Sequence, residues 1–182
     1  MRPSKDLYEC SEDEPGVSRE HSALSIVIGN LPYAVMVLLG TIIIALSQEL
    51  YWWAWIAAGA YLVYGALGSF WIILFLCPHC PGYGQGWCPC GYGALAAKLR
   101  PAGDVLLFSK KFRQHIPVIV PLWIIPVVIG GVLIADSFSW PLAILLGTFV
   151  VESCVILPLV SKSHGCKNCP QREACPWMSQ RG

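Results

Sequence analysis

Charged side chains are scarce in this chain: Asp, Glu, Lys and Arg make up 13% of its 182 residues, about half the share found in soluble domains. Hydrophobic residues account for 55%, and the mean hydropathy is +0.58. This composition excludes an ordinary soluble domain and predicts an all-α integral membrane protein. The net charge is only +1 and no basic patch is interleaved with aromatics, so we expect no nucleic-acid partner.

Polar residues are nearly missing from four segments, over about 23–47, 50–76, 116–135 and 138–160. Each is long enough to cross a bilayer, which takes roughly 20 helical residues. Gln48 and Glu49 alone join the first pair, and Asp136 and Ser137 alone join the second pair. Such short links predict two antiparallel helical hairpins. The largely polar residues 1–22 before the first segment argue against a signal peptide.

Lys and Arg are absent from both short links, and all 12 lie in the three remaining segments. The positive-inside rule therefore predicts that both termini and the middle loop are cytoplasmic, in an inner (plasma) membrane. The predicted organisation has five parts: an N-terminal tail (1–22), a first transmembrane hairpin (23–76), a Cys-rich loop with an amphipathic interfacial segment (77–115), a second hairpin (116–160) and a Cys-rich tail (161–182).

Cysteine is plentiful in the loop and in the C-terminal tail, and the spacing is similar in both. Cys77-x-x-Cys80-Pro is followed after six residues by Cys88-Pro, and Cys166-x-x-Cys169-Pro is followed after four by Cys175-Pro. We interpret this as an internal repeat, in which each hairpin is followed by a cytoplasmic Cys-rich lobe. Because the cytoplasm keeps thiols reduced, a stable disulfide framework is not expected.

Taken alone, Cys77-Pro-His-Cys80 resembles the active-site tetrapeptide of the DsbA-type thiol oxidases. That motif begins a helix, where the helix dipole stabilises a thiolate. Here it is predicted to follow the end of a helix, and the chain has no βαβ pattern. Paired cysteines that approach one ion from a single turn are instead typical of metal sites. The candidate ligands are Cys77, Cys80, Cys88, Cys90, Cys166, Cys169 and Cys175, with His79 and His164 as additional candidates.

The type of metal centre is left open between two alternatives. Five of these seven cysteines precede a proline, as does the cysteine that closes bacterial ferredoxin motifs, and this favours an iron–sulfur cluster. Zinc ribbons use the same cysteine pairs, so structural zinc is the close alternative. The ligands are enough for two sites or for one site shared by both lobes.

Histidine is missing from the middle of all four segments, which argues against a bis-His haem in this chain. One carboxylate, Glu152, does lie within the fourth segment. A carboxylate in the membrane is costly and by default suggests a function, here a proton relay or part of a quinone or lipid pocket. The alternative is a packing hydrogen bond to a neighbouring helix. Cys154 beside it is interpreted as a small apolar residue.

These features predict a small membrane subunit that binds an iron–sulfur cluster at the cytoplasmic face. It would anchor a protein partner or relay electrons in a membrane redox complex, with quinone as a candidate acceptor. Two other classes stay open: a zinc-stabilised membrane scaffold without redox activity, and a membrane thiol–disulfide or metal-handling protein. No group of residues is typical of a hydrolytic or transfer site, so a stand-alone enzyme is not the favoured interpretation.

Overall fold

The computed structural model describes residues 23–49, 52–85, 88 and 90–165, and within these ranges the fold is helical without strands. The predicted all-α class is therefore confirmed. The helices are α1 (Ala23–Ala45), α2 (Ala54–Phe75), α3 (Tyr92–Leu99), α4 (Phe108–His115), α5 (Pro121–Asp136), α6 (Trp140–Val151) and α7 (Leu157–Val160).

Short 3₁₀ and π segments extend these helices, and four continuous stretches within the described residues are long and apolar enough to cross a membrane. They are Ala23–Ala45, Ala54–His79, Val105–Asp136 and Trp140–His164. The third begins earlier than predicted, because the amphipathic segment before residue 116 is itself helical and runs into α5. These four stretches are consistent with the predicted multi-pass class, whereas the hairpins with cytoplasmic lobes stay a prediction.

Exposed aromatic side chains lie at the start of the second and fourth stretches. Trp52 is 82% exposed and Trp55 62% exposed, and Phe138 packs edge-on against Trp140. Amphipathic rings of this kind are typical of the boundary between membrane and water. The exposure of these rings agrees with such a position.

Helix α1 lies at the centre of the bundle and packs against α2, α5 and α6. The buried core includes Met36 and Ile43 of α1, Tyr61 of α2, Leu122 of α5 and Phe149 of α6. Bundles without a hydrophobic driving force between helices depend on close packing and interhelical hydrogen bonds. Both are present around Tyr61.

Tyrosine hydroxyls satisfy backbone carbonyls that prolines leave without a partner. Pro126 has no N–H to give to the carbonyl of Leu122, four residues earlier. The Tyr61 hydroxyl donates to that oxygen at 2.7 Å, and the Tyr64 hydroxyl donates to the carbonyl of Val118 just before α5. Helices α2 and α5 are therefore joined at the points where the α5 backbone is interrupted, as a lipid environment requires.

Candidate functional site

The first cysteine cluster lies on a loop that leaves the end of α2. Leu76 caps the helix, and residues Cys77–His79 form a 3₁₀ turn closed by the Cys80 N–H, which donates to the Cys77 carbonyl at 3.1 Å. The chain then folds back on itself, with the Gly84 N–H donating to the Gly93 carbonyl at 3.0 Å. We call residues 77–93 the cysteine loop. As predicted, its first cysteine follows the C-terminal end of a membrane helix.

The cysteine loop folds back on itself through a close backbone contact at Gly93. A Cβ at this position would lie 1.9 Å from the Gly82 carbonyl oxygen, so no other residue fits without displacing the loop. The Gly93 N–H donates to the Cys88 Sγ at 3.3 Å. Backbone N–H groups directed at sulfur are among the features that tune thiolate-ligated clusters.

The cysteine loop carries four thiols. Cys77 interacts electrostatically with Cys80, Cys88 and Cys90, and no disulfide joins the cysteines of the described part of the chain. Within that part, no group of three or more Cys, His, Asp and Glu side chains is close enough to hold a metal ion. The other predicted ligands, Cys166, Cys169 and Cys175, lie outside the described residues.

The two candidate histidines are held in different places. His79 Nδ1 lies 3.0 Å from the Asp104 carbonyl oxygen, so this nitrogen carries the proton and the lone pair of a neutral ring lies on Nε2. A bond of this type commonly orients a metal-ligating histidine. His164 instead engages α1, because its Nε2 lies 2.9 Å from Ser25 Oγ.

The cysteine loop and the start of the C-terminal tail meet at the first turns of α1. The Asn30 Nδ2 group donates to the Cys90 carbonyl at 3.1 Å, and Gly91 packs against the Ile26 side chain. Ser25, the neighbour of Ile26, contacts His164 in the last described turn. The segment that leads to Cys166 therefore begins on the same part of α1 that holds Cys90.

Glu152 opens a π-helical segment, Glu152–Ile156, and is 8% exposed. Pro158 follows this segment and has no N–H for a regular α-helical hydrogen bond. π-Bulges of this kind recur at functional sites. The segment packs against α1. The carboxyl group does not line the cavities described next, and its role as a proton or quinone site stays a prediction.

Two cavities adjoin the cysteine loop between α1 and α2, with volumes of about 170 and 490 Å³. Four polar residues line both of them: Asn30 and Tyr33 of α1, Ser69 of α2 and Tyr92 of α3. Cys90 lines the smaller cavity, and the larger one continues between apolar side chains such as Val37, Leu38 and Leu62. The smaller cavity, which we call the chamber, is thus mostly apolar with a few polar groups beside the cysteine loop, and it adjoins an apolar groove.

The polar lining was not predicted as a site. Asn30 and Tyr33 are three residues apart and so share one face of α1, and this spacing of polar residues in an apolar helix is the signal that could have found them. Tyr92 had no such signal, because only the folded cysteine loop carries it to Ser69. Burial raises the pKa of the Tyr92 phenol, so this hydroxyl keeps its proton at neutral pH.

No family model matches this chain, and neither a curated protein nor a solved structure is similar to it.

Proposed function

We propose that this chain is a small subunit of a membrane redox complex that binds an iron–sulfur cluster through its cysteine thiolates. The cluster would lie at the cytoplasmic face of an inner (plasma) membrane, with both termini on that side. The chain anchors a protein partner to the bilayer or relays electrons from it, with quinone as the candidate acceptor.

The observation that carries the proposal is that one short loop at the end of α2 holds four cysteines. Cys77 interacts with the other three, and the Cys88 sulfur already accepts a backbone N–H. Since a metal draws its ligands together when it binds, thiols carried on one short loop need no preformed cage to become a site. Cys166, Cys169 and Cys175 supply further thiolates in the proposed ligand set.

An iron–sulfur cluster is preferred over zinc because of the proline steps after the cysteines and the N–H group directed at sulfur. His79 is the candidate nitrogen ligand, since its Nδ1 is fixed by the Asp104 carbonyl. His164 contacts Ser25, so its proposed part is to hold the start of the tail against α1.

Elemental analysis of anaerobically purified protein tests this proposal. We expect iron and acid-labile sulfide in the wild type and their loss in Cys77→Ser and Cys88→Ser. Cys154→Ser is the matched control, because Cys154 lies in the π-helical segment away from the cysteine loop. Zinc without sulfide would support the scaffold instead, and thiols that react with an alkylating reagent before any chelation would support a thiol–disulfide function.

A further inference from the structure

The larger cavity is an apolar groove between α1 and α2, and the chamber beside it also reaches Ile119, Leu157 and Ser161. The positions of Asn30 in α1 and Ser69 in α2 show how far the chamber lies from the helix ends. Asn30 is seven residues from the start of α1 and Ser69 six residues from the end of α2, so both lie about 10 Å along their helices from the cysteine-loop end. A molecule that fills both cavities has a polar head near the cysteine loop and an apolar tail directed towards the membrane centre.

The hydrogen-bonding groups of the chamber are neutral. Asn30 uses its Nδ2 group on the carbonyls of Ile26 and Cys90, which leaves its Oδ1 as an acceptor. Ser69 faces the phenols of Tyr33 and Tyr92. The Tyr33 hydroxyl donates to the Gly65 carbonyl at 2.8 Å, so Tyr92 supplies the hydroxyl that can donate to a bound molecule. No Lys or Arg of the described residues lines either cavity.

This lining decides between two kinds of lipid. A phospholipid head carries a phosphate, whose burial without a cationic partner is costly. A quinone presents carbonyl oxygens to hydroxyl donors, and its reduced form presents hydroxyl groups to the Asn30 oxygen. The Tyr92 hydroxyl as a donor and the Asn30 Oδ1 as an acceptor suit both forms.

We propose that the chamber lined by Asn30, Tyr33, Ser69 and Tyr92 binds the head of an isoprenoid quinone, with the tail in the groove formed by α1 and α2. Cys90 contributes to the same chamber, so the quinone head would lie beside the proposed metal ligands. The choice of a redox-active head rests on the proposed function, whereas binding itself requires no metal. Quinone binding is thereby assigned to this chamber rather than to Glu152.

Photolabelling tests the site directly. The probe is a benzoquinone that carries an azido group and a tail of two isoprene units, added to the purified full-length chain and mapped by peptide mass spectrometry. We expect saturable labelling of peptides that contain residues of the chamber. The same quinone without the azido group should displace the probe, whereas the isoprenoid alcohol of equal tail length and a short-chain anionic phospholipid should not.

Two pairs of variants locate the binding. Ala66→Phe fills the groove, and Tyr92→Phe removes one hydroxyl. Each should weaken displacement of the probe by about fivefold or more, which for Tyr92→Phe is the effect of one hydrogen bond. Ala60→Phe on the same helix and Tyr83→Phe, whose hydroxyl donates to the Arg100 carbonyl, should leave it unchanged. Comparison of the melting temperatures of all four variants excludes misfolding as the cause.

Three outcomes would overturn the proposal. They are labelling spread over the lipid-facing surface, equal displacement of the probe by the phospholipid, and displacement by quinone that is unchanged in both Ala66→Phe and Tyr92→Phe. The measurement is repeated after metal has been removed by a chelator. Quinone binding that persists after chelation is expected, whereas quinone binding by a protein that contains no iron as purified would contradict the proposed function alone. An iron–sulfur protein without specific labelling would contradict the quinone site alone.

Discussion

At the scale of single residues, Tyr61 shows how the bundle compensates for a proline. Its hydroxyl donates a hydrogen bond to the Leu122 carbonyl, because Pro126 has no N–H that could do so. The same hydroxyl lies against α1, where a Cβ at Gly40 would approach it to 2.5 Å. The Tyr61 side chain therefore links α1, α2 and α5. Its hydrogen bond depends on the backbone N–H that is missing at Pro126 of α5.

We predict that Tyr61→Phe lowers the free energy of unfolding by about 1–2 kcal/mol, because a buried carbonyl is left without a donor. In a Pro126→Ala background the loss should be smaller, since the backbone N–H restored by that substitution can then donate to the Leu122 carbonyl. Denaturant titrations in mixed micelles on the four members of this double-mutant cycle measure the coupling. Equal losses in both backgrounds would contradict the explanation.

At the scale of elements, the contact between α1 and α2 depends on the absence of a side chain at Gly40. Gly40→Ala should destabilise the bundle by about 1–3 kcal/mol, because the added Cβ overlaps the Tyr61 ring and hydroxyl. Gly59→Ala on α2 is the matched control. A Cβ there meets nothing within 4 Å, so helix propensity should make that change neutral or slightly stabilising. Thermal unfolding in detergent compares the two, and similar losses would refute the packing argument.

The cysteine loop should be equally sensitive at Gly93. Gly93→Ala forces the loop away from the Gly82 carbonyl and disturbs the N–H that reaches Cys88. We expect the metal content of the purified protein to fall well below that of the wild type, with the membrane bundle still folded by circular dichroism. Gly131→Ala in α5, where a Cβ meets no neighbour, should keep its metal. Unchanged metal in Gly93→Ala would show that this loop is not the site.

The sequence predicted elements better than it predicted the contacts between them. The long apolar runs give the membrane helices to within a few residues, because bilayer thickness and backbone hydrogen bonding leave few alternatives. The amphipathic segment before residue 116 was predicted to lie along the membrane surface, and its continuity with the third apolar stretch was missed because its polar face resembles that of an interfacial helix. The chamber was missed for a different reason: Tyr92 meets Ser69 only through the folded loop, and no local pattern encodes that contact.

At the scale of the whole molecule, the distribution of Lys and Arg predicts the orientation in the membrane. A green fluorescent protein fused to the C-terminus should fluoresce, and alkaline phosphatase fused there should be inactive. Alkaline phosphatase inserted at the link beside Trp52 should be active instead. The opposite pattern would place the cysteines in an oxidising compartment, where disulfides replace metal as the expected chemistry.

The central claim is a thiolate-ligated iron–sulfur cluster, and the visible absorption spectrum of anaerobically purified wild-type protein tests it most directly. The account predicts broad visible absorbance that dithionite bleaches and air restores or destroys, absent from Cys88→Ser and retained in Cys154→Ser. A colourless wild-type protein that contains zinc would contradict it.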